Sequence, residues 1–546
     1  MHEIPIQTRQ HAPPGPHAPQ PAPPQAVPAN TTTRHLCAGA WLDKEYRDAI
    51  LDKIYHQPMR AVAPNHGADG ARVLAHARSA RATSTARHVV AASTALLLFL
   101  VIPFVHIPVA FAGLLLVWGL VGAVAQRAFG ADPDTRARPV PLIIGAVVLL
   151  LLFAMGPAFQ AMESSGSGSD SDREAAAGNG AGVVLMVLAL GVLLASSVVA
   201  ELTRARRVAN LVNGQNEPAT DRRIEFVRGL QGGSDVVNYS PHRDPFVGAG
   251  ESIATWQFAM PLRTVGGDRP KVWPGFDSAG LNAHVRAAVA ALAEDHGHSR
   301  FLPGLELSDQ LYVSGTATTW PVHTLADLAQ AGLPAEFPVV QADPTGPIRH
   351  YLRCQATSWD GETVTTFFIH TAVQGDTLYM EFHSYALPPT SEAYHVFGPA
   401  ANAPNPGTGL AVAKGITRAP LALVTGPIGA VRAINSAIRN KLAASGGTDD
   451  TGALVSIREL GSRGRESYFQ NRDAVKYTEI LEAQLLKAVK AFLDGKVDIQ
   501  QLTGFAQTII NNGIVNYGQV NAGAIGEGAQ ATIGAVGDHS RGSVNA

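Results

Sequence analysis

The sequence predicts an α-helical membrane bundle of four spans joined to a cytoplasmic α+β domain with an antiparallel sheet. Three observations lead to this fold class: uncharged apolar runs between residues 89 and 200, arginine clusters at the borders of these runs, and a strand-rich stretch with hairpin signals at 348–387. The chain has 546 residues, of which 46% are apolar and 16% charged. That composition leaves room for the bundle and for a folded unit outside it. The net charge of −2 argues against nucleic acid as a partner.

The N-terminal region divides into a tail and two helices. Residues 1–34 contain nine prolines, and such a segment cannot bury enough apolar surface to order itself, so we predict a disordered tail. Within 35–87, the apolar spacing predicts amphipathic cytoplasmic helices at 41–57 and 69–80. We expect these helices to pack on the cytoplasmic domain or to lie along the lipid headgroups.

The predicted bundle covers residues 88–203. The first apolar run, 89–126, has 38 residues without Asp, Glu, Lys or Arg, and as one straight helix it would be far longer than a bilayer core of about 30 Å. Pro103 and Pro108 divide this run, because proline removes a helix donor and crowds the preceding turn. The predicted spans are therefore 89–105, 107–126, 140–162 and 181–201.

Arginines predict the topology. They precede the first span, follow the second and follow the last: Arg78, Arg81 and Arg87; Arg127, Arg136 and Arg138; Arg204, Arg206 and Arg207. Since basic short segments stay cytoplasmic, an even number of crossings separates these clusters. The sequence thus predicts a multi-pass protein of the cell membrane with both termini in the cytoplasm.

The predicted spans favour an anchor over a pore. An ion pathway usually leaves ionisable side chains within the spans, and here only His106 could titrate, in a proline-flanked turn. Small residues such as Gly113, Gly119 and Gly122 suit close helix packing. We therefore predict that the lipid bilayer is one partner and that the bundle can also form homo-oligomers.

The cytoplasmic domain is predicted at 221–400, with its clearest signal in a three-stranded meander at 348–387. A turn at Asp360-Gly361 would place Leu352 opposite Ile369 and Cys354 opposite Phe367. A turn at Gln374-Gly375 would place Ile369 opposite Met380 and Phe367 opposite Phe382. Both registers put the same apolar side chains on one face, so Cys354 is predicted to be a core residue. Further strands are predicted at 253–262 and 310–314, and helices at 284–294 and 322–331.

The other face of the meander is the candidate interaction face. It gathers Tyr351, Arg353, His370, Tyr379, Glu381, His383 and Tyr385. Such a stripe is typical of the solvated side of a sheet or of a surface for a protein partner, and it could also bind a metal or perform acid-base chemistry. Because the predicted register separates His370 from His383, and no motif of a known catalytic site occurs, we predict no catalytic residue, no cofactor and no metal.

Three segments complete the chain. Residues 408–443 are predicted to be an amphipathic or interfacial connector, because the uncharged part is too short to cross a bilayer and prolines interrupt it. The alternative is a connector buried between subdomains. Residues 454–512 are predicted to form C-terminal helices, one of which keeps Lys476, Glu479 and Glu482 outside. The glycine-rich tail at 513–546 is predicted to be mobile, or to stack between chains as cross-β.

Two segments stand out, YRDAILDKIYHQPMRAVAPNHGADGARVLAHARSAR before the spans and NYSPHRDPFVGAGESIATWQFAMPL after them. Both resemble segments of a family of multi-pass membrane proteins of actinobacteria whose function is largely unassigned. This resemblance implies architecture and not chemistry. A weaker resemblance, to membrane proteins that work with cytoplasmic contractile injection systems in regulated cell death, implies a large cytoplasmic assembly as partner.

The resulting functional hypotheses belong to three classes. The first is a membrane-anchored adaptor or effector that docks a cytoplasmic protein assembly or signal at the inner membrane. The second is a channel or transporter gated by the cytoplasmic domain, which the uncharged spans disfavour. The third is a membrane-bound enzyme that uses the face of His370, Glu381 and His383.

Overall fold

The computed structural model describes most of the chain outside the long apolar runs and two helices that enter these runs. The described residues are 31–101, 170–211, 217–231, 235–265, 277–294, 301–316, 340–341, 346–396, 408–445, 450–462, 468–512 and 520–521. Several predictions lie outside them: the proline-rich tail up to residue 30, the spans 107–126 and 140–162, the helix 322–331, Arg127, Arg136 and Arg138, and the glycine-rich tail except for 520–521. Four membrane spans are therefore not shown.

The described α-helices lie before, between and after the strands. They are α1 (Thr31–Leu42), α2 (Lys44–Ile50, continued by a π-helical turn at Leu51–Tyr55), α3 (Gly70–Val101), α4 (Asp170–Asn210), α5 (Arg222–Gln231), α6 (Ser278–Glu294), α7 (Thr408–Ser445), α8 (Ile457–Gly461), α9 (Tyr468–Leu493) and α10 (Gln500–Asn512).

The strands form one mixed sheet of six strands with a two-residue seventh strand at its edge. They are β1 (Val236–Tyr239), β2 (Glu251–Pro261), β3 (Leu305–Ser314), β4 (Ile348–Ser358), β5 (Thr363–Gln374), β6 (Thr377–Leu387) and β7 (Val520–Asn521), in the spatial order β1-β3-β4-β5-β6-β2-β7. The interior pairs are antiparallel, whereas β1 pairs with β3 and β7 with β2 in parallel. The predicted α+β class is confirmed, and the predicted antiparallel sheet is corrected to a mixed one.

The meander β4–β5–β6 tests the predicted registers. In the first hairpin Leu352 pairs with Ile369 and Cys354 pairs with Phe367, as predicted. In the second hairpin Ile369 pairs with Phe382 and not with Met380, so this prediction was wrong by two residues. The turn is one position later than expected, at Gly375-Asp376, where Gly375 takes a positive φ of 60°. A shift of two residues keeps every side chain on its predicted face.

The apolar face of the sheet is covered by α6, α9 and α10. Its buried strand residues, including Trp256, Cys354 and Phe367, pack with Leu281, Val285, Val289, Leu481, Leu485 and Phe505 of the three helices. Cys354 is fully buried with a free thiol, and burial raises its pKa to about 12. It is a core residue, as predicted.

Glu482 corrects the prediction made for the C-terminal helix. It was placed on the outer side of α9 with Lys476 and Glu479, yet it is 6% exposed. The indole Nε1 of Trp256 donates a hydrogen bond to its Oε1 at 3.0 Å. The buried face of α9 is therefore wider than the stripe of apolar residues in its sequence.

The N-terminal helices pack on the α+β unit. The first described helix begins at Thr31, so residues 31–34 are helical and the predicted tail ends earlier than residue 34. Tyr46 of α2 lies against the ring of Tyr394 at 5.4 Å between centroids, and its Oη donates to the carbonyl of Ile457 at 3.2 Å. The N-terminal helices thus pack on the domain, which is one of the two expected positions.

The helices α3, α4 and α7 pack together as a bundle, which we call the helix bundle. α3 joins the predicted cytoplasmic helix and the start of the predicted first span into one helix. Small residues allow close contact: a Cβ added to Gly426 of α7 would lie 2.5 Å from the Cβ of Ala91, and one added to Gly415 would lie 2.6 Å from the Cα of Val198. Among the described residues, two helical stretches are long and apolar enough to cross a membrane: Val184–Asn210 and Thr408–Asn440.

The helix α7 differs from the predicted connector in its continuity. Pro420 and Pro427 lie inside one 38-residue helix and do not break it. Apolar side chains on its outer face are exposed at helical spacing, namely Leu421, Val424, Ile428, Val431, Ile434 and Ile438. Tyr394 before α7 and Ile457 after it belong to the same buried cluster, so the chain leaves one folded unit and returns to it.

Candidate functional site

The candidate interaction face contains a cluster centred on Glu381. Tyr351 Oη donates to Glu381 Oε2 at 2.6 Å, and Tyr379 Oη donates to Glu381 Oε1 at 2.5 Å. The imidazole Nε2 of His383 lies 3.5 Å from Oε2 of the same carboxylate. Strand pairing causes this convergence, because His370 of β5 is the direct neighbour of Glu381 on β6 and Tyr351 follows on β4.

Three residues of the predicted face take other partners. His370 Nδ1 hydrogen-bonds the carbonyl of His350 at 2.8 Å. Arg353 Nε donates to Ser308 Oγ at 2.9 Å, and Tyr385 Oη donates to Asp244 Oδ2 at 2.7 Å. The structure therefore places the seven predicted residues on one face but brings only four of them into one cluster. In this cluster Tyr351, Tyr379 and His383 contact the carboxylate of Glu381.

The electrostatics of the Glu381 cluster favour a fixed negative charge. Burial alone would raise the pKa of Glu381, but the adjacent His383 imidazole and the hydrogen bonds from Tyr351 and Tyr379 outweigh burial and lower the pKa to about 2. Burial and the adjacent Glu381 carboxylate raise the pKa of Tyr351 far above its ordinary value. A carboxylate with a pKa of about 2 is ionised at neutral pH and is a weak base, so this geometry does not favour acid-base chemistry.

Phe246 covers the part of the face next to this cluster. Its ring stacks on Phe368 at 4.2 Å and meets Tyr351 edge-on at 5.1 Å. The segment then turns into β2 at Gly250, where φ is 98° and a Cβ would lie 2.2 Å from the carbonyl oxygen of Ala386. Gly248 and Gly250 in DPFVGAGES therefore form a turn, in which both have a positive φ.

A second polar group joins α1 to the sheet, and we call it the polar clamp: His35, Glu362, Thr390 and His395. His35 Nδ1 lies 2.8 Å from Glu362 Oε1, and Thr390 donates to Glu362 Oε2 from its backbone N at 2.8 Å and its Oγ1 at 2.7 Å. The rings of His35 and His395 stack at 4.1 Å. Sequence reasoning missed this group, because its members lie in three distant segments without a shared motif.

The polar clamp is also a possible set of metal ligands. His35, Glu362 and His395 offer ligand atoms within 4.8 Å of one another. Three ligands are one fewer than a structural zinc site has, and two imidazoles with one carboxylate equal the number and type in some catalytic zinc sites. Burial alone would raise the pKa of Glu362, but the hydrogen bonds from His35 and Thr390 outweigh it and lower the pKa to about 2. The group therefore holds α1 on the sheet through charge-assisted hydrogen bonds.

An exposed aromatic patch lies at the end of the first hairpin. Trp359 in the hairpin turn is 46% exposed, and Tyr468 and Phe469 at the start of α9 are 69% and 68% exposed. Trp359 has a positive φ of 55° and its Nε1 donates to Asp473 Oδ2 at 3.1 Å, one helical turn beyond Phe469. We call Trp359, Tyr468 and Phe469 the aromatic patch. The sequence contains its residues, but only the fold brings them to one surface.

Most of the sheet, its three covering helices and α7 lie between residues 255 and 522, whereas β1 and the start of β2 precede this stretch. Residues 255–522 match the AbeC-like domain. Comparisons with curated proteins and with solved structures find no match. The match fits the resemblance to a family of unassigned function.

The AbeC-like domain contains most of the groups described above. The Glu381 cluster and the aromatic patch lie entirely within it, and so does α7. His35 of the polar clamp and Phe246 precede the matched residues. The N-terminal helices therefore complete surfaces that begin inside the AbeC-like domain.

Proposed function

We propose that this protein is a membrane-anchored adaptor whose AbeC-like domain faces the cytoplasm and docks a protein assembly there. The observation that carries the proposal is the outer surface of the helix bundle, where large apolar side chains are exposed on all three helices. They include Leu96 on α3, Leu188, Val192 and Val199 on α4, and Leu421, Val424 and Val431 on α7. Water would penalise such a surface, whereas lipid would cover it.

The two ends of α7 connect it to the folded part of the AbeC-like domain, which supports an anchor that is mechanically linked to this domain. A single straight crossing by α7 would separate Tyr394 from Ile457, which share one buried cluster. We therefore propose that α7 lies at the inner leaflet against α3 and α4, with its apolar stripe towards the acyl chains. Because α7 is part of the domain, a protein that binds the domain also acts on the anchor.

Environment-sensitive labelling tests this placement in the full chain. A fluorophore on Val424→Cys should shift to the blue in vesicles and be quenched by a quencher carried on the lipid chains. The matched control is Lys490→Cys on the exposed side of α9, which should stay unquenched. The native Cys37 and Cys354 are fully buried and contribute little labelling. Equal quenching at the two positions would contradict the placement.

The docking surface that the geometry favours is the aromatic patch. Binding hot spots are enriched in tryptophan and tyrosine that are exposed in the free protein, and Trp359, Tyr468 and Phe469 fit this description. The Glu381 cluster is less suited, since the hydroxyls of Tyr351 and Tyr379 are already hydrogen-bonded to Glu381 within the protein. A contractile injection system, which the sequence resemblance suggests, is the large assembly that we propose as partner.

We expect the double variant Trp359→Ser with Phe469→Ser to reduce capture of the partner at least tenfold. Each lost hot-spot aromatic typically costs about 2 kcal/mol or more. The measurement is affinity capture from gently solubilised membranes, quantified by mass spectrometry. The control is Val265→Ser, which removes a residue that is 71% exposed elsewhere in the AbeC-like domain. Unchanged capture by a variant with native thermal stability would remove the patch as the docking surface.

A further inference from the structure

A large basic cavity lies where the helix bundle meets the N-terminal helices. It has a volume of about 1190 Å³ and is lined by residues of α1, α2, α3, α4 and α7. Eight lysine and arginine side chains and three carboxylates line it, so that positive charges exceed negative ones by five. An excess of this size in one cavity calls for an anionic occupant.

One group of positive charges in the cavity surrounds Glu201. This carboxylate faces three arginines: Arg418 at 2.6 Å, Arg204 at 3.6 Å and Arg87 at 3.8 Å. One carboxylate cannot neutralise three guanidinium groups. The Nε atoms of Arg87 and Arg204 are also buried without a hydrogen-bond partner.

A second group of positive charges lies on α2, α3 and α7 and also exceeds the carboxylates beside it. Asp48 faces Arg81 at 2.8 Å, Lys44 at 2.9 Å and Arg47 at 3.4 Å. On α7, Arg432 and Arg439 line the cavity, and neither forms an ion pair within the part of the chain that the structure describes. The cavity thus offers guanidinium groups on several sides to an anion with more than one charge.

The position of the cavity identifies the source of that anion. Arg81 and Arg87 border the predicted first span and Arg204 follows the predicted last span, so the cavity lies at the level of the cytoplasmic headgroups. Leu421 and Ile428 line the same cavity and are 62% and 50% exposed. Acyl chains could lie along this apolar stripe while phosphates remain among the arginines.

We propose that this cavity binds the headgroup of an anionic lipid that carries two phosphates, of the cardiolipin class. The proposal rests on the membrane association proposed above. It concerns a ligand distinct from the docked protein, so the loss of lipid binding and the loss of partner capture are separate results.

Native mass spectrometry of the full chain in detergent tests the proposal, with cardiolipin, phosphatidylcholine and inorganic pyrophosphate as separate additions. We expect a one-to-one cardiolipin adduct that survives detergent release, and no retained phosphatidylcholine. Pyrophosphate bound as tightly as cardiolipin would overturn the choice of a lipid, because the acyl chains would then add nothing. The absence of any retained anion would overturn the site.

Two variants separate the charge of the cavity from its packing. Arg432→Gln with Arg439→Gln removes charges that hold no ion pair, and cardiolipin affinity should fall about thirtyfold, at about 1 kcal/mol for each charge. Lys487→Gln with Lys490→Gln on α9 is the matched control and should bind as the native chain does. Glu201→Gln removes a negative charge and should strengthen cardiolipin binding, whereas a merely structural role would weaken it. Weaker binding by Glu201→Gln would count against the proposal.

Discussion

Replacing Glu482 by glutamine is expected to raise the free energy of unfolding by about 2 kcal/mol at pH 8. Glu482 is 6% exposed in the core beneath the sheet, and the hydrogen bond from Trp256 is too little to offset the burial of a charge. Burial raises its pKa to about 7. Glutamine keeps an acceptor for the Trp256 indole and carries no charge, so the variant avoids this cost.

The pH dependence of this prediction has a definite sign. In the unfolded chain the pKa of a glutamate is about 4.3, and in the folded protein that of Glu482 is about 7. Between these values the folded state holds the extra proton, so the native protein loses stability as the pH rises through this window. The gain from Glu482→Gln should be full at pH 8 and vanish at pH 4.

Chemical denaturation of the detergent-solubilised chain at the two pH values measures this difference. Glu306→Gln, on an exposed position of β3, is the control and should change little at either pH. An equal gain at pH 4 and pH 8 would show that the charge of Glu482 is not the cause.

Replacing Glu362 by alanine should lower the free energy of unfolding by about 3 kcal/mol. The substitution leaves the imidazole of His35 and the two donors of Thr390 without their acceptor in a buried place. α1 loses its charge-assisted contact with the sheet, so amide hydrogen exchange over residues 31–42 should accelerate more than exchange in the core strands.

Acidification gives an independent test of the polar clamp. The pKa of Glu362 is lowered to about 2, so its contribution is present above pH 4.5 and is lost as the pH falls towards 2. The native chain should therefore lose more stability between pH 5 and pH 2 than Glu362→Ala does. Glu392→Ala, an exposed glutamate in the segment that carries Thr390, is the control. Parallel acid curves for native and Glu362→Ala proteins would contradict the role given to the clamp.

Local patterns predicted the meander well and its surroundings less well. The alternation of apolar and polar residues placed Cys354 and Phe367 in the core, and Asp360-Gly361 gave the correct register of the first hairpin. The predicted register of the second hairpin was wrong because Gly375 is the first residue of the two-residue turn and not the second. Glu482 was misplaced because a helix that packs against both a sheet and another helix buries more than its apolar stripe.

The sequence predicted which residues share the face of the sheet that carries the candidate site, but it did not predict the contacts between their side chains. Strand parity brought Tyr351, Glu381 and His383 to the same side of the sheet. The hydrogen bonds that join them around Glu381 depend on side-chain positions that parity does not specify. The aromatic patch and the basic cavity could not be predicted from the sequence, because each combines residues from separate elements whose packing is set by the whole fold.

The sequence by itself determined the α+β class, the buried face of the meander and the apolar helices with arginines at their borders. Those features follow from hydrophobic periodicity and turn residues over short stretches of chain. Only the tertiary structure decided the continuity of α7 through two prolines, the polar clamp that joins His35 to Glu362 across 327 positions, and the convergence of arginines on one cavity. These depend on packing between distant segments, which stabilises contacts and charged groups that no local pattern encodes.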